Sequence, residues 1–327
     1  PGIDVVYEGS GDFETLITVR TEGGDPPDVA AFPQPGLAAD LARGGFIQDM
    51  DEWLGRDYLE QQYNQTWIDL ADLEGIQAGV WYRANIKSLV WYPKPEFEAA
   101  GYEIPETWDE LIALSDQIVA DGGTPWSIAI ESSGATGWVA PDWIGDIMLR
   151  IHPPEVYDAW VAGELGFDSP EFREALSYME EIWFNEDYVL GGREGIVLTP
   201  FGDGANPLTV DPPAAWLHRQ ASFIQGFLPQ EGREVGTDID FFYLPPIDPE
   251  QGRPVLGAGD LYSAFNDRPE VRALMRYVST GLSTRAWVEA GGFTSPHNDT
   301  NLDWYPNVAD RTIAEILLSA TTFRFDA

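Results

Sequence analysis

The sequence predicts an α/β fold with a parallel sheet. Strand-like and helix-like segments alternate along the first 43 residues, an order that is typical of strand–helix–strand units. The chain has 327 residues, is 44% hydrophobic and contains 13 Trp, 13 Tyr and 16 Phe, enough to bury one large core or two ordinary ones. This aliphatic and aromatic content also excludes a disordered chain.

The first elements are indicated by β-branched runs and turn residues. Residues 3–7 predict a strand, and residues 13–20 repeat apolar side chains at helical spacing until a Gly/Pro-rich turn. Residues 28–32 predict a second, buried strand. Because ligands of α/β proteins sit beyond the carboxyl ends of strands, Phe32 and Gln34 are expected at the rim of a site.

The remaining elements follow from the same signals. Thr107 and Glu110 form a capping box, in which Thr107 caps the amide of Glu110 while the Glu110 side chain reaches back. The other predicted strands cover 79–92 (one strand or a pair), 127–130, 241–244 and 262–265. The other predicted helices cover 37–43, 107–118, 137–151, 169–183, 268–278, 283–290 and 309–321. The strands near 80–92 and 241–246 are predicted to cross between two lobes.

The charge excludes several classes of function. The chain carries 55 Asp+Glu against 18 Lys+Arg, a net charge of −37, which argues against nucleic acid and anionic membranes as partners. With no Cys, it has no disulfide or thiolate chemistry, and His152, His218 and His297 lie far apart in sequence. Only Lys87 and Lys94 are lysines, a bias that fits either a high-salt habitat or an acidic exported protein from a GC-rich genome.

Catalytic and phosphate-binding motifs are missing from the sequence. It contains no P-loop, no dinucleotide-binding glycine pattern after a strand, no H-E-x-x-H and no G-x-S-x-G. No apolar run reaches the length of a membrane-spanning helix. The chain opens on a predicted strand, so no signal peptide is expected in it, as in a mature protein.

Aromatic residues beside polar ones indicate a sugar site. Trp138 and Trp143 flank Asp142, Phe201 stands next to Gly202-Asp203, and Asp260 follows Gly259. Sugars present apolar faces and a rim of hydroxyls, so their sites combine aromatic platforms with polar side chains. The alternative is that these aromatics belong to the core.

The segment around Lys87 gives a second indication. If it is a strand, Arg83, Asn85 and Lys87 share one face. Lys87 is then either a functional residue or a lysine whose stem lies along the surface.

Longer motifs resemble a known family. Residues 79–82 (G-V-W-Y), 87–94 (K-S-L-V-W-Y-P-K) and 105–111 (P-E-T-W-D-E-L) resemble the extracellular solute-binding proteins of carbohydrate ABC importers. The sequence departs from the family pattern with Trp81 for Pro and Pro93 for Asn. Residues 291–297 (G-G-F-T-S-P-H) and 322–326 (T-F-R-F-D) resemble the α-glucoside-binding branch.

This resemblance implies a type II periplasmic-binding-protein fold with two lobes, hinge strands and a sugar in the cleft. The lobes would divide into 1–84 (lobe 1, lacking the family's first strand–helix unit), 85–245 (lobe 2), 246–291 (lobe 1 return) and 292–327 (lobe 2 helices). The ligand-binding residues implied are Phe32, Gln34, Arg83, Asn85, Lys87, Trp138, Asp142, Trp143, Phe201, Asp203, Trp216, Gly259, Asp260 and Phe293.

The leading hypothesis is therefore a non-enzymatic sugar receptor. The resemblance implies an exported monomer, periplasmic or held at the cell surface by a lipid anchor, that delivers α-glucosides to ABC permease subunits without a cofactor or metal. One alternative is a glycoside hydrolase with a carboxylate pair, which would release glucose from an α-glucoside. Another is a scaffold whose acidic surface binds calcium.

Overall fold

The computed structural model describes residues 2–229, 234–320 and 322–326. The chain divides into two compact units. Unit 1 comprises Pro1–Asn85 and Ala258–Pro306, and unit 2 comprises Ile86–Gly257 and Asn307–Ala327. No helix in the described part of the chain is both long enough and apolar enough to span a membrane.

Both units contain helices and strands. The α-helices are α1 (Phe13–Glu22), α2 (Pro35–Arg43), α3 (Met50–Leu54), α4 (Arg56–Gln62), α5 (Gln65–Leu70), α6 (Lys94–Ala100), α7 (Trp108–Ala120), α8 (Val139–Ile151), α9 (Pro154–Val161), α10 (Pro170–Trp183), α11 (Gly192–Leu198), α12 (Pro269–Val278), α13 (Gly281–Ala290) and α14 (Val308–Ser319). The strands are β1 (Val29–Phe32), β2 (Asp72–Leu73), β3 (Ile76–Gln77), β4 (Val80–Ile86), β5 (Leu89–Pro93), β6 (His218–Arg219), β7 (Ile239–Tyr243), β8 (Pro254–Ala264) and β9 (Thr322–Phe325). Short 3-10 helices include Phe201–Asp203 and Ser222–Phe227.

Unit 1 is built on a sheet in which β8 lies between β1 and β4. β1 pairs antiparallel with the end of β8, with Val29 opposite Ala264 and Phe32 opposite Leu261. Phe32 is fully buried and packs against Phe13 and Phe265, with ring centroids 5.5 and 6.3 Å away. The strand therefore ends in the core of the unit.

Unit 2 contains a second sheet, ordered β6-β5-β7, and all of its pairings are antiparallel. The start of β8 pairs in parallel with β9, with Pro254 opposite Thr322 and Gly257 opposite Phe325. The helices around this sheet bury a core rich in tryptophan. In it the ring of Trp143 lies 5.6 Å from that of Trp126 and 5.9 Å from that of Trp183, both edge to face.

The capping box at α7 is formed with one difference. The Thr107 hydroxyl accepts a hydrogen bond from the Glu110 amide at 3.2 Å, as predicted. The Glu110 carboxylate, however, accepts from the amide of Glu106 at 2.7 Å and not from that of Thr107. Both bonds satisfy amides at a helix start that would otherwise have no partner inside the helix.

Two predicted strands do not form. Residues 3–7 lie outside any strand, with Val6 85% exposed, because no described segment pairs with them. Residues 127–130 also form no strand. Isolated parallel bridges flank them at Trp126 and Glu131, and the partners of these bridges come from separate short segments of the chain. The prediction of a parallel sheet is wrong for β1, whose partner β8 runs antiparallel and comes from late in the chain.

The unit boundaries also differ from the predicted lobes. The sequence places them at 84/85, 245/246 and 291/292, whereas the structure places them after Asn85, Gly257 and Pro306. The second boundary falls inside β8, which runs unbroken from Pro254 to Ala264, whereas the predicted crossing strand at 241–246 lies wholly within unit 2. The third is later because the segment after α13 belongs to unit 1.

Candidate functional site

Unit 2 presents a group of four aromatic rings at its surface, here called the aromatic cluster: Trp138, Phe201, Phe223 and Phe227. Ring centroids are 5.3 Å apart for Trp138 and Phe201, 6.0 Å for Trp138 and Phe223, and 5.2 Å for Phe201 and Phe227. None of the four is fully buried, and Phe227 is 48% exposed. The cluster therefore offers an apolar platform to a ligand.

Local backbone structure explains how the cluster forms. Trp138 directly precedes α8, while the three phenylalanines lie on two 3-10 helices. A Cβ at Gly202 would stand 2.6 Å from the Phe227 ring, so a larger residue there would displace that ring. The adjacent Asp203 is exposed, and its carboxylate accepts a hydrogen bond from the side-chain amide of Asn206 at 3.1 Å. A carboxylate thus stands at the edge of the platform.

A buried group of charges lies beside Trp138, here called the ion cluster: Lys87, Asp142 and Asp326. The Lys87 ammonium donates to both carboxylate oxygens of Asp142, at 2.8 and 2.7 Å, and also to Asp326. The same nitrogen lies 4.9 Å from the centroid of the Trp138 ring. The side chains of all three charged residues are at most 4% exposed.

The ion cluster holds two carboxylates for one ammonium. Burial raises the pKa of Asp142 to about 6; Lys87 opposes this shift and Asp326 adds to it. Burial alone would lower the pKa of Lys87, but the two carboxylates outweigh it and the net shift is upward. Asp142 therefore carries negative charge that the single ammonium does not fully balance.

A second buried charge group lies one turn further along α8. Asp146 accepts from Arg219 at 2.7 Å and from the Ser88 hydroxyl at 2.7 Å, and it also pairs with Arg150. Burial would raise the pKa of Asp146, but the two guanidinium groups outweigh it and lower the pKa. Sequence reasoning missed this group. The signal was the i, i+4 spacing of Asp142, Asp146 and Arg150 along an otherwise apolar helix.

Unit 1 brings together three predicted site residues, Arg83, Asp260 and Phe293. The Arg83 guanidinium lies 5.5 Å from the centroid of the Phe293 ring and donates to the Gly292 carbonyl at 3.0 Å. Burial raises the pKa of Asp260, while Arg83 lowers it. Within the described residues, no ion pair shorter than 4 Å joins Arg83 and Asp260, and no hydrogen bond reaches the Asp260 side chain. The Asp260 carboxylate thus has accepting capacity for a hydroxyl group.

Sequence reasoning also missed an exposed tryptophan in unit 1. The ring of Trp287, on α13, stacks on Phe293 with centroids 6.0 Å apart and planes 29° from parallel. Trp287 is 60% exposed. The helical pattern of the sequence does not show which face of α13 packs against the unit, so it gave no indication that Trp287 is exposed.

The other predicted site residues are buried or partly buried. Phe32 and Trp143 belong to the cores described above, and Asn85 is buried within β4. Gln34 is partly buried at the start of α2, and Trp216 packs edge to face on Tyr102 at 5.0 Å.

Gly259 is required by packing in unit 1. A Cβ there would stand 2.6 Å from the Arg83 carbonyl oxygen and 3.0 Å from the Trp81 ring. Among the described residues, no three His, Asp or Glu side chains are grouped so that they could hold a metal ion.

The chain matches a family model and curated relatives. The model of the bacterial extracellular solute-binding protein family matches residues 1–280. The chain is 46% identical to the osmoprotective compounds-binding protein GgtB of Synechocystis sp., over 100% of this chain and 77% of that protein. It is 42% identical to the alpha-glucosides-binding periplasmic protein AglE of Rhizobium meliloti, over 99% of this chain and 72% of that protein.

Solved structures share the fold. The solute receptor AcbH, reported to prefer β-D-galactopyranose, aligns with a TM-score of 0.83 at 20% identity, over 97% of this chain and 78% of that chain. Maltose-bound MalE3 of T. maritima aligns with a TM-score of 0.74 at 19% identity, over 97% and 78%. The predicted type II binding-protein fold is confirmed. The chain belongs to the bacterial extracellular solute-binding proteins, which are binding proteins of ABC importers and not enzymes.

Proposed function

We propose that this protein is the receptor of an ABC importer for small α-glucosides that also act as osmoprotective compounds. The observation that carries the proposal is the aromatic cluster of unit 2, an apolar platform with the Asp203 carboxylate at its edge. A sugar ring stacks its C–H face on such a platform while polar groups take its hydroxyls. The relatives named for alpha-glucosides and for osmoprotective compounds support the choice of ligand.

Unit 1 supplies a second set of groups to the proposal. Asp260 has accepting capacity, and Arg83 holds buried N–H donors, of which Nε has no partner among the described residues. Sugar hydroxyls both donate and accept hydrogen bonds, so the pair can serve one hydroxyl from two sides. Phe293 and Trp287 add apolar surface next to Arg83.

The acidic charge favours a neutral ligand. With a net charge of −37, the protein repels anions at long range, whereas a neutral disaccharide experiences no such repulsion. We further propose that the receptor is exported, is held at the membrane by a lipid or moves freely in the periplasm, acts as a monomer and does not bind nucleic acid.

Isothermal titration calorimetry with a panel of sugars tests the proposal. Trehalose, sucrose and maltose are the α-linked arm, cellobiose and lactose the β-linked arm, and glycine betaine represents an osmoprotectant that is not a sugar. We expect saturable binding in the α-linked arm and a higher melting temperature in the same samples, since a ligand stabilises the state it binds. Binding only in another arm would overturn the proposed ligand class.

Two substitutions locate the binding surfaces. Phe227→Ala should weaken binding of the α-glucoside by about 3- to 10-fold through lost stacking. The matched control is Phe167→Ala, because Phe167 is also an exposed phenylalanine of unit 2 but packs on Phe172, outside the aromatic cluster. Asp260→Asn should weaken binding by about tenfold or more, since a charged acceptor is lost. Equal effects of the two Phe substitutions would remove the aromatic cluster from the site.

A further inference from the structure

The hydrogen-bonding capacity of Lys87 is already used inside unit 2. An ammonium has three N–H donors, and the Lys87 nitrogen contacts two oxygens of Asp142 and one of Asp326. Its side chain is 4% exposed. A sugar hydroxyl would have to displace a buried carboxylate to reach it, so direct contact with the ligand does not explain this rare lysine.

The position of the ammonium points to another role. It lies 4.9 Å from the centroid of the Trp138 ring, which is partly exposed, whereas the Lys87 side chain is buried. A desolvated cation is attracted to an indole face. Asp142, which holds the same ammonium, stands four residues after Trp138, in the first turn of α8. The ring and the start of its helix are thus both tied to one charge.

Backbone hydrogen bonds hold the chain segments that carry Lys87 and Asp326. The Lys87 amide donates to the Leu256 carbonyl at 2.8 Å, and the Asp326 amide donates to the Gly257 carbonyl at 2.9 Å. The parallel pairing of β8 with β9 brings Asp326 to this point, although it lies 239 residues from Lys87 in sequence.

We propose that Lys87 is a positioning residue for the sugar platform: held by Asp142 and Asp326, its ammonium sets the orientation of the Trp138 ring in the aromatic cluster. This inference rests on the proposed function, because it assigns Trp138 to the binding surface. It predicts that loss of the Lys87 charge alters both the environment of Trp138 and the affinity for an α-glucoside.

Three full-length variants test the role of Lys87. Lys87→Met/Asp142→Asn removes one positive and one negative charge together, so the net charge of the ion cluster does not change, although Asp326 loses its counter-ion. A cooperative thermal melt checks that this variant is folded before either readout. Asp142→Asn alone leaves the Lys87–Asp326 pair in place. The matched control, Lys94→Met/Asp240→Asn, makes the same changes at the other lysine. The Lys94 ammonium donates to Asp240 at 2.7 Å, and this pair is much less buried than the ion cluster.

The first readout is spectroscopic and needs no ligand. Each variant is labelled with 5-fluorotryptophan, and the ¹⁹F resonance of Trp138 is identified as the one lost in Trp138→Phe. We expect that resonance to shift in Lys87→Met/Asp142→Asn, to shift less in Asp142→Asn, where Asp326 still holds the ammonium, and to stay in place in the Lys94 control. An unmoved resonance in the folded double variant would overturn the proposal.

The second readout is affinity for trehalose, sucrose or maltose, whichever binds the unmodified protein. Lys87→Met/Asp142→Asn should bind about tenfold more weakly, Asp142→Asn should lose less affinity because Asp326 still holds the ammonium, and the Lys94 control should keep the original affinity. If Asp142→Asn alone loses as much affinity as the double variant, Asp142 itself contacts the sugar and the proposal fails. If no sugar binds the unmodified protein, the proposed function fails, and the ¹⁹F result still decides whether Lys87 positions Trp138.

Discussion

The two buried aspartates of α8 should respond in opposite ways to the same substitution. Asp142 and Asp146 lie one turn apart and are both buried. Asp142 shares one ammonium with a second carboxylate, whereas Asp146 faces two guanidinium groups. We expect Asp142→Asn to raise the free energy of unfolding at pH 7 and Asp146→Asn to lower it strongly.

The size of the Asp142 effect follows from its pKa. Folding raises that pKa from 3.8 to about 6. One pKa unit corresponds to about 1.4 kcal/mol, so ionised Asp142 costs the folded state about 3 kcal/mol above pH 6. Asparagine removes that cost but also gives up about 0.5 kcal/mol of favourable charge at the start of α8. The net gain at pH 7 should be about 1–3 kcal/mol.

The sign of the pH dependence is fixed by the direction of the shift. Because the folded pKa of Asp142 lies above its unfolded value, the stability that it contributes is fully present below about pH 4 and is lost as pH rises towards 6. The unmodified protein and Asp142→Asn should therefore have similar stability near pH 4. Their stabilities should separate between about pH 4 and 6 and then stay separated.

Urea unfolding at constant ionic strength, from pH 4 to pH 8, measures this difference. Asp146→Asn is the matched control, because it makes the same change on the same helix in an equally buried place. It should lose about 3–5 kcal/mol, since it leaves two buried guanidinium groups without their carboxylate. The reasoning is refuted if Asp142→Asn is less stable than the unmodified protein at pH 7, or if the difference between them does not change with pH.

Three further predictions depend on local contacts. His218 should stay neutral down to about pH 5, because burial lowers its pKa to about 4 even though Nδ1 lies 2.8 Å from the Ser127 carbonyl. The stability that neutral His218 contributes is lost as pH falls from 6.5 to about 4. A midpoint near pH 6.5 for the ring protons in an NMR titration would contradict this. Gly259→Ala should lower the free energy of unfolding by about 1–3 kcal/mol, since its Cβ would stand 2.6 Å from the Arg83 carbonyl; an unchanged urea midpoint would show that unit 1 relaxes freely. Thr107→Ala should cost about 1 kcal/mol and lower the melting temperature, while Thr107→Ser should retain the cap.

Helices were the most predictable part of this fold. The apolar spacing over 137–151 predicts α8, which the structure forms from Val139 to Ile151. Helical hydrogen bonds are local, so a long apolar pattern predicts a helix directly, whereas short helices such as α3 and α11 were not predicted. Strands need a partner: residues 3–7 have strand-like composition but no paired neighbour among the described residues, and β1 pairs with β8, more than 200 residues later.

The candidate site was predictable in its aromatic part only. Trp138 and Phe201 stand among glycines, prolines and acids and lie at the surface, but Trp143 has a similar context and lies in the core, so the context predicts only part of the cluster. The partner of Lys87 was not predictable in the same way. Asp326 is one of 55 acidic residues, and only the pairing of β8 with β9 selects it.

The buried charges of unit 2 show why net charge and site chemistry are separate questions. Lys87, Arg150 and Arg219 are matched there by three aspartates, so these six residues carry no net charge in a chain of −37. Salt ions screen exposed charges but reach such buried pairs far less. High salt therefore reduces the repulsion among the exposed acids, while the orientation of the buried pairs depends on geometry. That independence allows an acidic protein to hold Lys87 under Trp138 whatever the ionic strength outside.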